Sequence, residues 1–205
     1  MNNIKTVIFD FGGVLLDMDV QICVNAFARL GYDKVSELMD GYTQKGLFLL
    51  YDEGKISTDD FFIELQKRVG LHVSIEELKE AYLSFLEGLP QYKLDLLLKL
   101  RKKYKVYMLS NVCKLIFEHC KKLYFETNNH VFEDYFNKAY LSFEIGVCKP
   151  DKLIFEKMIE DSGIIPNQCL FLDDGIRNIE TAKSLGFNTY LVKPKENFLG
   201  LFEDF

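Results

Sequence analysis

The sequence predicts an α/β fold, namely a doubly wound parallel sheet of five strands with a helical cap inserted after the first strand. Three observations predict it. Short apolar runs rich in β-branched residues alternate with helical patterns in the second half of the chain, and polar residues directly follow several of these runs. A stretch of roughly 70 residues after the first run contains only helical patterns, whereas ordinary connections between a strand and a helix run about 2–6 residues.

Five apolar runs have the composition of strands that are buried on both faces of a parallel sheet. In chain order they are residues 4–9, 106–109, 139–141, 169–172 and 189–192. Apolar residues at helical spacing fill the second half between them, at residues 94–101, 115–123, 153–159 and 179–185. Strands separated by helices predict a doubly wound sheet.

Residues 17–88 show three helical patterns and no convincing strand. An apolar stripe over residues 22–30 predicts the first helix, and Ser57 or Thr58 is the expected N-cap of a second helix that ends at Gly70. Ser74 opens a capping box at the start of a third helix, which should run to about residue 87. We therefore predict a helical cap domain over residues 17–88. The catalytic core is expected to comprise residues 1–16 and 89–205.

The composition is that of an average soluble globular protein. The 205 residues are 48% apolar and 27% charged, and the net charge is −6 with no long basic run, so no nucleic-acid partner is expected. No apolar stretch approaches about 20 residues and no signal peptide is visible, which predicts a cytoplasmic protein without membrane contact. Five cysteines without a C-x-x-C pair disfavour both a disulfide framework and a zinc site. Monomer and homodimer both remain open.

Polar side chains that are suited to catalysis or to metal binding lie where the predicted strands end. They are Asp10, Ser110, Asn111, Lys149, Asp173 and Asp174. Ligands of open α/β sheets bind at this edge, and three carboxylates converge there if the first and fourth strands are neighbours. Carboxylates so close together need a neutralising cation, and an oxygen donor set suits Mg²⁺ together with a phosphate substrate. Lys149 and the Ser110 hydroxyl would then donate to a phosphoryl group.

Four short motifs in this order resemble those of the haloacid-dehalogenase-like (HAD) hydrolase superfamily, whose core is Rossmann-like. They are residues 8–15 (IFDFGGVL), 109–111 (LSN), 146–150 (GVCKP) and 171–174 (FLDD) with Asn178. The resemblance covers essentially the whole chain. Within the superfamily the sequence is most similar to bacterial phosphatases of the glucose-1-phosphate type, and also to the phosphatase domain of soluble epoxide hydrolases.

The resemblance implies roles for the residues that contact the phosphoryl group. Asp10 would be the nucleophile that forms an aspartyl-phosphate. Ser110 and the backbone N–H of Asn111 would bind the transferring phosphoryl oxygens, and Lys149 would bind the same group while keeping Asp10 ionised.

The resemblance also implies a Mg²⁺ site. Asp10 and Asp174 would ligate the ion directly, together with the backbone carbonyl of Gly12. Asp173 would act through a water or orient the ligands. The sequence itself does not decide which of Asp173 and Asp174 contacts the metal.

One position departs from the pattern of related phosphatases. The residue two positions after the nucleophile is usually an aspartate that serves as general acid, and here it is Gly12. A general acid contributes typically about 10²- to 10⁴-fold. Either the leaving group needs little protonation, as in an anomeric sugar phosphate, or another carboxyl substitutes, with Asp17 and Asp19 the nearest in sequence.

We therefore predict a Mg²⁺-dependent phosphatase acting on a small phosphorylated metabolite such as a sugar phosphate. A catalytically weak binding protein for phosphorylated metabolites is an alternative, because Gly12 supplies no acid. A hydrolytic dehalogenase is a second alternative. The acidic pair Asp173–Asp174 disfavours it, because the pair suits a Mg²⁺ site and such dehalogenases bind no Mg²⁺. Gln44 and Lys45 are further candidates to face the substrate.

Overall fold

The computed structural model describes residues 3–37 and 45–202, so Gln44 lies outside the described residues. In chain order the strands are β1 (Thr6–Phe9), β2 (Asp17–Met18), β3 (Leu86–Gly88), β4 (Lys105–Ser110), β5 (Lys138–Leu141), β6 (Cys169–Asp173) and β7 (Asn188–Leu191). Five of them form one sheet in the order β5-β4-β1-β6-β7. Every pairing in this sheet is parallel, which confirms the predicted fold class.

The central strands are buried on both faces, as their apolar sequences predict. All residues of β1 and β6 are buried. Val7 and Phe9 pack into the larger hydrophobic cluster, whereas Ile8 packs into a second cluster on the opposite face together with Phe171. This alternation follows from the two-residue period of a strand. Because β1 pairs with β6, the two strands end side by side, with Phe9 opposite Leu172.

Helices occupy most of the remaining described chain. They are α1 (Val20–Arg29), α2 (Gly46–Asp52), α3 (Thr58–Val69), α4 (Ile75–Leu83), α5 (Gln91–Arg101), α6 (Lys114–Cys120), α7 (Phe132–Tyr135), α8 (Ser142–Ile145), α9 (Lys152–Ser162) and α10 (Ile176–Ser184). Ser57 caps α3, and the capping box at Ser74 begins α4, as predicted. None of the helices within residues 3–37 and 45–202 is both long and apolar enough to cross a bilayer.

The helices α2, α3 and α4 pack around an aromatic cluster. Tyr51 stacks on Phe61 with ring centroids 4.2 Å apart, and Phe48 and Tyr82 pack against the same ring. The apolar stripe predicted for α1 is largely confirmed, because Phe27 is buried and Ala26 and Leu30 pack against the core. Ile22 is the exception at 38% exposed, whereas Cys23 is buried. Apolar residues at helical spacing therefore located the helix and most of its buried face.

Two short strands in residues 17–88 correct the expectation that this region is purely helical. β2 and β3 pair antiparallel, with Asp17 opposite Gly88, and α4 ends at Leu83 rather than near residue 87. Strands of two and three residues are too short to show a two-residue period in the sequence. The pair brings together the two ends of the helical segment where it leaves and rejoins the sheet.

Candidate active site

A cavity of about 330 Å³ opens at the carboxyl ends of β1, β4 and β6. Six of the residues predicted from the sequence line it, namely Asp10, Gly12, Ser110, Asn111, Lys149 and Asp174. Asp173 is fully buried directly behind them. The structure thus brings all seven predicted site residues together, as expected for residues that follow adjacent parallel strands.

The carboxylates of Asp10, Asp173 and Asp174 each have an oxygen within 4.8 Å of the others. The ammonium group of Lys149 lies among them, with Nζ 2.9 Å from Asp10 Oδ1 and 2.7 Å from Asp173 Oδ2. Lys149 Nζ also donates to the carbonyl oxygen of Leu109 at 2.8 Å. One lysine cannot balance three acids, so the cluster has the donor set and the residual negative charge that suit a divalent cation.

Asp173 and Asp174 differ in how their carboxylates are engaged. Asp173 Oδ1 accepts hydrogen bonds from the backbone N–H of Gly175 and from Asn178 Nδ2, while its Oδ2 accepts from Lys149. Asp174 is partly exposed to the cavity. Asp173 therefore holds Lys149 and Asn178 in place, and Asp174 is the member of the pair with an oxygen available to a metal ion in the cavity.

Burial and mutual repulsion govern the protonation of this cluster. Burial raises the pKa of Asp10 well above its usual value, Lys149 opposes that rise, and the charges of Asp173 and Asp174 add to it. Burial, followed by the Asp173 charge, raises the pKa of Asp174 to about 6. Burial lowers the pKa of Lys149, but Asp10 and Asp173 outweigh it and raise that pKa overall. A cation between the carboxylates would relieve this repulsion.

Asn111 positions Lys149 through its side chain. Its Nδ2 donates to the backbone oxygen of Lys149 at 2.8 Å, and its Oδ1 accepts from the backbone N–H of Lys149 at 2.7 Å. Ser110 is buried at the end of β4 and lines the cavity. Neither Ser110 nor Asn111 is the N-cap of the next helix, because α6 begins at Lys114 with Cys113 as its N-cap.

Two glycines follow Asp10 in the loop after β1, and they differ in what surrounds them. Gly13 has φ of +75°, and a Cβ there would lie 2.0 Å from Asp174 Oδ2. A Cβ at Gly12 would lie 2.8 Å from the Met18 methyl group, so the Met18 side chain fills the space next to the position where related phosphatases carry an acid. Gly13 thus permits the close approach of Asp174.

Neither Asp17 nor Asp19, the two candidates for the missing acid, is among the residues that line the cavity. Leu16, Met18 and Val20 line the cavity, so the intervening aspartates lie on the other side of this extended segment. Asp17 Oδ1 is 2.8 Å from the buried ammonium of Lys93, and Asp19 is the N-cap of α1. The structure therefore gives no support to the hypothesis that one of them substitutes for the acid.

The sequence reasoning missed five polar residues that line the cavity. They are Asp52, Glu53, Tyr82, Asp151 and Arg177. Asp52 ends α2, Tyr82 lies in α4, and Arg177 is the second residue of α10. No motif marks these positions, because their place at the cavity depends on how the helical segment packs on the sheet.

Comparisons with known proteins agree with this geometry. A family model described as haloacid dehalogenase-like hydrolase matches residues 4–186. A D-ribitol-5-phosphate phosphatase of Bacteroides thetaiotaomicron is 41% identical over 187 residues, which span 91% of this chain and 91% of that protein. A HAD family enzyme of the same species, crystallised with magnesium and inorganic phosphate, is 38% identical with a TM-score of 0.91, covering 98% of this chain and 100% of that one. A predicted HAD-like hydrolase of Porphyromonas gingivalis is 33% identical with a TM-score of 0.90, covering 98% and 97%.

Proposed function

This chain belongs to the haloacid dehalogenase-like hydrolases, and from that premise we propose that it is a Mg²⁺-dependent phosphatase of a small phosphorylated sugar or sugar alcohol. The observation that carries the proposal is the buried Lys149, held between Asp10 and Asp173 beside Asp174 in a cavity at the sheet edge. A volume of about 330 Å³ is near the lower end of the range for ligand sites, which suits a metabolite of a few carbon atoms. The D-ribitol-5-phosphate phosphatase activity of a 41% identical relative supports this substrate class.

Four groups of this chain suit a Mg²⁺ ion. Asp10, Asp174 and the backbone carbonyl of Gly12 would hold the ion, and Asp173 would orient the site from behind through its bonds to Lys149 and Asn178. When bound, the ion supplies positive charge that offsets the repulsion between the carboxylates and a phosphate dianion.

In the proposed reaction the Asp10 carboxylate attacks phosphorus. A bond forms between its oxygen and phosphorus while the bond from phosphorus to the substrate oxygen breaks, which leaves an aspartyl-phosphate that water then hydrolyses. Lys149 and Ser110 bind the transferring phosphoryl oxygens, together with the backbone N–H of Asn111. The Asn111 side chain fixes Lys149 for this task.

The lack of an acid at Gly12 has a kinetic consequence for the proposed reaction. The departing oxygen carries negative charge in the transition state when no carboxylic acid protonates it. We therefore expect turnover to rise steeply as the pKa of the leaving alcohol falls. Aryl phosphates of graded acidity, assayed under single-turnover conditions, measure this slope.

We also propose that residues 17–88 form a cap over the site and that residues 1–16 and 89–205 form the core. Side chains of α2 and α4 in the cavity wall support this division. The five cysteines, all of which lie among the described residues, form no disulfide, which is typical of a reducing compartment and supports a cytoplasmic location. For the assembly we propose a monomer or a homodimer, which sedimentation distinguishes.

The direct test is turnover of p-nitrophenyl phosphate and D-ribitol 5-phosphate with Mg²⁺, with EDTA, and with Mg²⁺ restored. The wild-type protein should hydrolyse both, lose activity in EDTA and regain it with Mg²⁺. Asp10→Asn should lower kcat by at least about 10⁴-fold, because an amide is a poor nucleophile towards phosphorus. Activity that survives Asp10→Asn would contradict the covalent mechanism. A wild-type protein that binds D-ribitol 5-phosphate without turnover would favour the binding-protein alternative.

A further inference from the structure

Asp52 is a buried acid in the cavity wall that the proposed chemistry does not use. Its side chain belongs to the last residue of α2, is only 7% exposed and lines the same cavity as Asp10 and Asp174. Within residues 3–37 and 45–202 its carboxyl group has neither a hydrogen-bond donor nor a cationic partner. The Asp52 oxygens are not among the fully buried polar atoms that lack a partner, so they are accessible from the cavity that Asp52 lines, where a ligand can hydrogen-bond to them.

The backbone at Asp52 is fixed to the sheet edge by two contacts. The Ser142 hydroxyl donates to the carbonyl oxygen of Asp52 at 2.6 Å and accepts from the backbone N–H of Val112 at 2.9 Å. Gly54, with φ of +64°, approaches the core so closely that a Cβ there would lie 2.0 Å from the carbonyl oxygen of Phe143. The Asp52 carboxyl is thereby held at a defined place relative to the phosphoryl site.

The other acids at the cavity have partners already. Glu53 forms an ion pair with Lys55 at 2.7 Å, and Asp151 is the N-cap of α9 and accepts from the backbone N–H of Leu153. Among the described residues that line the cavity outside the metal cluster, Asp52 is therefore the acid whose carboxyl group remains available to bind a ligand.

We propose that Asp52 is a specificity-determining residue that hydrogen-bonds hydroxyl groups on the carbon chain of the substrate. The proposal rests on the proposed phosphatase function, since the phosphoryl group at Asp10 and Lys149 directs the rest of the substrate into the cavity. A carboxyl group suits a hydroxyl because it accepts when ionised and can donate when protonated, and burial raises its pKa to about 7 so that both forms occur near neutral pH. A site built to pair with hydroxyls discriminates strongly against molecules that lack them.

Equilibrium binding tests the proposal without requiring turnover. Asp10→Asn protein is titrated with D-ribitol 5-phosphate and with inorganic phosphate in the presence of Mg²⁺, and the titrations are repeated with Asp52→Ala added. Hydrogen bonds to charged groups contribute about 1.5–3 kcal/mol. We expect the Kd for D-ribitol 5-phosphate to rise about 10- to 100-fold and the Kd for inorganic phosphate to stay within about threefold.

Kinetics on the otherwise unmodified protein provide a second readout. Asp52→Ala should lower kcat/KM for D-ribitol 5-phosphate about 10- to 100-fold, chiefly through KM, and leave p-nitrophenyl phosphate within about threefold. Asp52→Asn, which keeps a hydrogen-bonding side chain of the same shape, should fall between wild type and Asp52→Ala. Asp59→Ala removes an exposed acid from the same helical segment and serves as the matched control.

The outcomes separate the two proposals. Equal loss on both phosphate esters, or no loss on either, overturns the role of Asp52 while leaving the phosphatase function intact. A selective loss on O-phosphoethanolamine instead of D-ribitol 5-phosphate also overturns it, because the carboxyl would then recognise an amine. Absence of wild-type turnover contradicts the phosphatase function alone, and the binding comparison still decides on Asp52. If Asp52→Ala does not fold by circular dichroism, the same comparisons with Asp52→Asn decide.

Discussion

Replacing Asp52 with asparagine should stabilise the folded protein, by an amount that grows with pH. Burial, followed by the charge of Glu53, raises the pKa of Asp52 from 3.8 to about 7 in the folded state. In the unfolded chain the carboxyl should titrate near its ordinary value. Between pH 4 and 7 the folded protein therefore binds more protons than the unfolded chain, so folding stability is lost as pH rises through this range.

The size of the effect follows from the two pKa values. One pKa unit corresponds to about 1.4 kcal/mol, so the gap between 3.8 and about 7 costs the wild-type protein about 4 kcal/mol above pH 7 and nothing below about pH 4. Asparagine has the same shape and no charge to desolvate. The difference in unfolding free energy between Asp52→Asn and wild type should therefore increase by about 4 kcal/mol from pH 4 to pH 8.

The groups that surround Asp52 do not disturb this comparison. Burial raises the pKa of Cys113 and of Cys148 to about 12, and it raises the pKa of Tyr82 well above its usual value. All three stay neutral from pH 4 to 8, and Glu53 is common to both proteins. The carboxylates of the metal cluster are present in both proteins as well, so their contribution cancels in the difference.

Urea unfolding in EDTA, followed by circular dichroism because the chain has no tryptophan, measures the difference at several pH values. Asp59→Asn removes an exposed charge from the same helical segment and should show a nearly constant offset from wild type. If the offset of Asp52→Asn is equally independent of pH, folding does not desolvate this carboxyl and the reasoning is refuted.

Three further predictions concern the metal cluster. Lys149→Met should abolish turnover. Without metal it should also reduce the unfolding free energy by about 3–5 kcal/mol, because Asp10 and Asp173 lose the cation that pairs with their buried charge. Unchanged urea unfolding would contradict this expectation. Gly13→Ala should raise the Mg²⁺ concentration needed for half-maximal activity at least tenfold, since the new Cβ displaces Asp174, whereas Gly163→Ala, at a similar φ with open space around it, should not. Saturating Mg²⁺ should raise the midpoint of thermal unfolding of the wild-type protein, and calorimetry without such a rise would argue against a metal site among these carboxylates.

The sequence predicted those parts of the fold that depend on local pattern. The fully buried strands β1 and β6 are continuous apolar runs, and the caps at Ser57 and Ser74 are local hydrogen-bond motifs. Residues that directly follow adjacent parallel strands meet at one edge of the sheet, so the sequence predicts Asp10 beside the 173–174 pair if the first and fourth predicted strands are neighbours, as β1 and β6 are.

Features that depend on packing between distant segments were not predictable in this way. The ribbon of β2 and β3 has too few residues to show a pattern, and the engagement of Asp17 by Lys93 depends on a contact across 76 positions. Asp52 reaches the cavity only because Ser142 and Gly54 hold its backbone against the core. Nothing in the residues next to Asp52 distinguishes it from a surface acid at a helix end.

The ribbon of β2 and β3 also bears on how such proteins could be re-engineered. Since Asp17 lies opposite Gly88, the helical segment leaves and rejoins the rest of the chain at nearly the same point. Its two ends are therefore as close together as the ends of a short loop. The entropic cost of bringing the ends of a loop together grows only slowly with its length, and domain insertion is tolerated where the ends lie close together. Transplanting a different helical segment between these two strands should therefore leave the five parallel strands and their acidic cluster folded, while providing new side chains opposite the phosphoryl site.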